Sequence, residues 1–283
     1  MTNSKHHYGW RPDTPDQRDH IFHAPEQKTV AKASTSWYTP ICNFFHPTPT
    51  PPTPPDNKSV DLRSVCPPVV DQGQLGSCTA NALAGALAFL EIKDNLFDNA
   101  FSRLFIYYNE RVLENTVNSD AGAEIRDGIK TLAAQGACYE TTWPYIIAEF
   151  TVDPPTVAYT EGSTHLILEY SRILTLADMQ ACLDAGFPFV FGFTVYESFE
   201  SDVVTQTGVV PMPGPMESVL GGHAVVCVGY DDTQQRFICR NSWGIDWGQA
   251  GYFTIPYAYL TNDNLASDFW TIRRGEDMLH KPT

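Results

Sequence analysis

No apolar run in this chain approaches the roughly 20 residues that a membrane-crossing helix needs. Stretches such as "NALAGALAFLEI" and "LILEY" stop well short, so no membrane partner is expected. Basic side chains are scarce: 18 Lys and Arg stand against 33 Asp and Glu, for a net charge of -15. That balance repels phosphate backbones and anionic lipid, which argues against nucleic acid as a partner. Cysteines are few and odd in number (Cys42, Cys66, Cys78, Cys138, Cys182, Cys227 and Cys239), so disulfides do not build the fold and at least one thiol stays free. There is no Cys-x-x-Cys pair, and the histidines do not sit near cysteines at zinc-binding spacing. Neither a metal nor another cofactor is expected. The first residues, "MTNSKHHYGWRPDTPDQRDH", lack the apolar stretch of a secretory signal. The compartment therefore stays open: cytoplasmic, or extracytoplasmic if a signal was trimmed.

What is present suffices for a sizeable core, since 43% of the 283 residues are hydrophobic. Residues 1–58 show no helix or strand period and close on "HPTPTPPTPP". Those prolines favour extended polyproline II, in which Pro47 to Pro55 would span about 28 Å at about 3.1 Å per residue. We read 1–58 as a leader with a stiff spacer, a disordered tail being the alternative, and 59–283 as the globular unit. Within that unit a helical lobe (about 75–160) precedes a β-rich lobe (about 161–283), which makes an α+β protein without internal repeats.

The first helix follows "DQGQLGSC", with Ser77 as N-cap, Cys78 in the first turn, and Leu83, Leu87 and Leu90 at helical spacing. A second is expected from Ser102 through "RLFIYYNERVLEN", and a third over "AEIRDGIKTLAAQ", closed by Gly136. Beyond residue 160, "HLILEYSRIL" and "FPFVFGFTVY" read as strands around a short helix whose Thr175 and Asp178 suit a capping box. "GGHAVVCVGY", "RFICRNSW" and "GYFTIPYAYL" read as further antiparallel strands.

The first turn of a helix favours a thiolate through its dipole and free N–H groups, so Cys78 is a candidate nucleophile. His223 opens a strand and can act as acid and base. With a turn at Asp231 to Gln234, Asn241 comes roughly opposite His223, where its amide oxygen can orient the ring and Trp243 can shield that bond. Gln72, six residues before the thiol, can donate to an oxyanion together with the Cys78 N–H. In the same register Cys227 and Cys239 lie diagonally, as two core thiols rather than a bridge. Pairing among Cys42, Cys66, Cys138 and Cys182 stays open.

Together, "DQGQLGSC", "GGHAVVCVGYD" and "RNSWGIDWGQAGYFTI" resemble the papain-like cysteine peptidases over about residues 59–275, in a bacterial branch that carries "GQLGSCTANA" behind "GWRPDTPDQRD". The resemblance implies a two-lobed fold in which the nucleophile helix faces a β-barrel-like antiparallel lobe across a cleft. It implies catalysis by Cys78, His223, Asn241 and Gln72, with Trp243 and Trp247 as the family's tryptophans. Gly122, Gly221, Gly222 and Ala266 fall near its substrate-binding positions. Two departures are visible: Leu75 replaces a commonly disulfide-bonded cysteine, and Thr79 replaces an aromatic residue.

The expected function is a cysteine endopeptidase acting on protein or peptide through an acyl-enzyme, as a monomer. Glutamine deamidation or transglutamination on the same site, and a silent binding scaffold, are the alternatives. The leader is shorter than the family's helical pro-domain. We expect "YGWRPDTPDQRDHIF" to lie in or beside the cleft and inhibit until cut, anchored by Trp10, Phe22 or Trp37.

Overall fold

A computed structural model describes residues 6–23, 58–94 and 99–274. Among these residues the α-helices are α1 (Cys78–Lys93), α2 (Arg103–Leu113), α3 (Ile125–Ala134), α4 (Thr156–Gly162), α5 (Leu176–Asp184), α6 (Asp202–Thr207) and α7 (Tyr257–Leu260). The strands are β1 (Ser59–Asp61), β2 (Glu169–Arg172), β3 (Phe189–Tyr196), β4 (Val219–Asp231), β5 (Arg236–Arg240), β6 (Tyr252–Pro256) and β7 (Ala266–Arg273). All pair antiparallel in one sheet of order β2-β7-β3-β4-β5-β6, with β1 on the far end of β4. The class is α+β as expected. The sheet is an open path, not a closed barrel.

Helix α1 is buried from Cys78 to Glu91, so the leucine stripe read from the sequence is one part of an apolar surface that runs all round. Ser77 holds the N-cap position, but its side chain makes no capping bond. Its Oγ instead lies 2.5 Å from the Tyr145 hydroxyl and accepts from Asn81 Nδ2 at 3.0 Å. The other two caps form as expected: Ser102 accepts from Phe105 N–H, and Thr175 from Asp178 N–H.

Residue parity along the strands gives the sheet two buried faces. Val190, Ala224, Val226 and Val228 join α1, α2 and α3 in one core. Phe189, Phe191, Phe193, Val225 and Cys227 turn to a second core with Phe237, Phe253 and Ile255. Strand β7, absent from the sequence reading, lies inside the sheet between β2 and β3. "GYFTIPYAYL" is a strand only to Pro256, where the chain turns into α7.

Cys227 and Cys239 correct the diagonal reading: they pair directly across β4 and β5, yet remain free thiols. The turn lies one residue later than assumed, between Asp231 and Arg236, and a bulge between Cys227 and Gly229 shifts the register again. Cys42, Trp37 and the proline spacer lie outside the described residues.

Candidate active site

The loop before α1 and the loop after β5 are held together by backbone bonds. Gln72 N–H donates to Ser242 O at 2.9 Å and Gly244 N–H to Val70 O at 3.1 Å. Gln72 Oε1 accepts from Ser242 Oγ at 2.6 Å, which fixes the amide so that Nε2 points the other way. Cys78 begins α1, and α1 packs on the face of β4 that carries Ala224. His223, one residue earlier on β4, turns to the opposite face and the aromatic cluster of Phe193, Phe199 and Trp243. Asn241 follows the last residue of β5, and its Oδ1 lies 2.8 Å from His223 Nε2. Because Oδ1 also accepts from Ser242 N–H at 2.9 Å, the carbamoyl oxygen faces the ring, and Nε2 is the nitrogen that donates.

The two tryptophans cover this bond. Trp243 stacks on the imidazole at 4.8 Å between centroids and is itself braced edge-on by Trp247 at 5.3 Å. Both are buried, so the His223–Asn241 pair lies in a dry aromatic box where a hydrogen bond is strong.

Residues 6–22, within the segment expected to be a leader, lie against these groups. Gln72 Nε2 donates to His7 O at 3.1 Å as well as to Leu75 O at 2.9 Å. The His6 ring stacks on Trp243 at 3.8 Å, and its Nδ1 lies 3.0 Å from Glu200 Oε2, the carboxylate to which the Tyr8 hydroxyl also donates. Ala123 N–H donates to Gly9 O at 2.7 Å and Arg11 N–H to Ala123 O at 3.0 Å, a parallel bridge centred on Trp10. Trp10 N–H donates to Gly222 O at 3.0 Å. Farther along, Phe22 N–H donates to Arg172 O at 2.8 Å, extending the edge strand β2.

The electrostatics follow from this cover. Burial pushes the Cys78 thiol up to about 12, against the lowering effect of the Ala224, Gly9 and Thr79 N–H groups that face the sulfur. Burial likewise pulls His223 down to about 4, although Asn241 favours its charged form. No hydrogen bond joins Cys78 to His223, and His223 Nδ1 has no partner among the described residues. Both shifts favour the neutral form, a thiol at Cys78 and an uncharged imidazole at His223.

Of the residues named for substrate binding, Gly221 and Gly222 face the leader: an added Cβ would stand 2.8 Å from the Tyr8 side chain and 2.4 Å from Trp10 O. At Gly122, with φ +68°, a Cβ would reach within 2.0 Å of Gly9 O. The backbone bonds at this point are made by its neighbour Ala123. Ala266 lines the recess beside Trp10 and Pro12. The sequence reading missed Ala123, Glu200 and Asp268. Ala123 lies one residue from a glycine already singled out and Asp268 two from Ala266; Glu200 has no local signal.

A family model described as papain family cysteine protease matches residues 56–268. An uncharacterized peptidase C1-like protein of Acanthamoeba polyphaga mimivirus is 50% identical over 219 residues, 74% of this chain and 70% of its own. A cathepsin B-like protein of Giardia intestinalis is 29% identical over 67% of this chain and 64% of its own length. The crystal structure of xylellain, a cysteine protease from Xylella fastidiosa, superposes with a TM-score of 0.79 at 40% identity, covering 94% of this chain and 96% of that one. The chain belongs to the papain family of cysteine proteases and is a hydrolase.

Proposed function

We propose that the protein hydrolyses peptide bonds through Cys78, His223, Asn241 and Gln72, and that leader residues 6–22 keep it silent until they are removed. The observation that carries this reading is the His223 Nε2–Asn241 Oδ1 bond of 2.8 Å, together with the consecutive residues His7, Tyr8 and Gly9, which meet Gln72, His223 and Cys78 in turn. With the leader gone, water reaches the cleft and the thiol passes its proton to His223 Nδ1, the nitrogen that Asn241 leaves free. The thiolate attacks the carbonyl carbon, and Gln72 Nε2 with the Cys78 N–H stabilises the oxyanion. The imidazolium then protonates the departing amine. In the second half, His223 takes a proton from water as it attacks the thioester, which restores the thiol.

The leader blocks each of these parts. His7 O occupies the amide group meant for the oxyanion, Gly9 N–H faces the sulfur, and Tyr8 closes over His223 at 6.2 Å between ring centroids. The test is the pH dependence of Cys78 alkylation by iodoacetamide, followed by intact mass, before and after the leader is cut away. Rapid single-site labelling below pH 7 in the cut protein, abolished by His223→Ala, is expected. Labelling that rises only near the ordinary thiol value of about 8.5 would leave a binding scaffold as the better description.

A further inference from the structure

Trp10 does more than block. Its indole lies flat against two glycines on one face of the sheet: an added Cβ at Gly192 would stand 1.9 Å from Trp10 Cε2, and at Gly222 2.7 Å from Cε3. These glycines lie on adjacent strands at even-numbered positions, where the register sets them on the same face (Gly192 opposite Ala224, Thr194 opposite Gly222). Together they leave a slot on the sheet in which a ring can lie against the backbone.

The end of the slot is an acid. Asp268 sits in a bulge of β7 opposite β3, with φ +57°, which takes its side chain out of the strand's alternation. It is buried at 2% exposure. Its Oδ2 accepts from Trp10 Nε1 at 3.0 Å and from Asp13 N–H at 2.9 Å, both leader groups; the contact left from the body of the protein is Arg172 Nη1, 3.4 Å from Oδ1. Removing the leader strips Oδ2 of both donors, and a buried carboxylate without donors is costly. The same departure takes Asp13 and Asp19 from Arg126 and Arg172, both of which lie over the Trp270 ring. Arg172 still pairs with Asp268, and Arg126 stands with it over the Trp270 ring, so the acid is already partnered by positive charge that disfavours a basic side chain beside it.

We infer that Asp268 is a specificity-determining residue, and that the slot between Gly192 and Gly222 selects substrates with a flat side chain bearing an N–H donor, tryptophan first, over plain aromatics and over lysine or arginine. Since Gly9 is the leader residue at the sulfur and Trp10 follows it, a substrate that runs opposite to the leader places in the slot the side chain preceding the residue whose carbonyl reaches the thiol. This assignment rests on the peptidase reading above.

The experiment uses the full chain, folded whole, with a site for a sequence-specific protease placed within residues 47–55 and with Trp10→Ala so that the severed leader departs. Peptidyl-Ala-aminomethylcoumarin substrates then carry tryptophan, naphthylalanine, phenylalanine or arginine before the alanine. Naphthylalanine fills the space of an indole and offers no N–H. Tryptophan should exceed naphthylalanine by about 10- to 100-fold in kcat/KM, the range for a hydrogen bond to a buried charged acceptor. Asp268→Asn, which tolerates the left-handed backbone, should cut that ratio about tenfold. Equal rates for tryptophan and naphthylalanine, or a preference for arginine, would overturn the slot and leave the peptidase reading standing. If no peptide is cut and iodoacetamide leaves Cys78 unmodified, the peptidase reading fails. The slot is then judged by binding of N-acetyltryptophanamide to the cut chain, and affinity no greater than for the naphthylalanine analogue overturns it.

Discussion

The two halves of the leader are held by different physics. Residues 6–11 lie against Gln72, Cys78 and His223 and are fixed by backbone hydrogen bonds and ring stacking: His6 on Trp243, Trp10 in its slot, Gly9 and Arg11 on Ala123. Residues 13–19 lie away from the thiol and are fixed by charge. Asp13 receives Arg172 Nη2 at 2.5 and 2.6 Å and Arg126 Nε at 3.2 Å, while Asp19 receives Arg126 and Arg172. On the proposed reading the first half silences the site, and the second sets how firmly the first is held.

One readout, the alkylation rate of Cys78 at pH 7, separates the halves. Severing and removing the whole leader should raise it most, by about 10³-fold or more, because a thiol brought from about 12 to the ordinary 8.5 gains about that much thiolate even before His223 contributes. Trp10→Ala in the uncut chain should come next: it empties a buried slot directly beside Gly9, costs about 3–5 kcal/mol of stability in denaturant titrations, and should speed alkylation by at least about tenfold.

Asp13→Asn should be comparably destabilising, about 3–5 kcal/mol, because it leaves the buried Arg172 and the half-buried Arg126 guanidinium groups short of a carboxylate. It should nonetheless speed alkylation less than Trp10→Ala, since the contacts over the sulfur survive. A larger acceleration from Asp13→Asn would break the division of labour. Glu200→Gln should do least, weakening the half-buried His6 contact by about 1 kcal/mol with little change in rate.

Acid should act on the second half first. Burial drives Asp13 upward, but the hydrogen bonds and charges of Arg172 and Arg126 outweigh it and hold the carboxyl below its ordinary 3.8. The stability it confers is therefore present above pH 3.8 and lost as pH falls through the lower folded value. Asp268 has the opposite sign: burial raises it to about 6, so the folded chain takes up a proton there before the unfolded chain does, and stability falls as pH rises from 3.8 to 6. The leader-bound chain should thus melt highest near pH 4 and lose stability on either side, with Asp13→Asn removing the acid limb of the profile and Asp268→Asn the limb toward neutral pH.

Much of this was legible in the sequence, for reasons that differ by residue. Cys78, His223, Asn241 and Gln72 are placed by short-range features, a helix start, a hairpin end and a loop, each read within a dozen residues. The strand pairing of Cys227 with Cys239 was misread because a bulge is set by the partner strand and by a turn whose "DDTQQ" allows more than one closure. Asp268 escaped notice for the same reason: its function comes from a left-handed kink inside a strand, and nothing in "ASDFWTIR" marks one. The capping role of Ser77 failed where Tyr145, remote in sequence, competed for the hydroxyl. The hold on Asp13 comes from Arg172, 159 residues away, a pairing no local pattern encodes.

The Asp13–Arg172–Asp268 junction links activity to lifetime. A segment that supplies buried ion pairs and fills a slot in the sheet is part of the folded chain's stability, so on the proposed reading cutting it away would switch the enzyme on and weaken its framework in one event. The silent form should outlast the working form in any mixture where both meet the same proteases. The duration of activity would then be written into the contacts that prevent it.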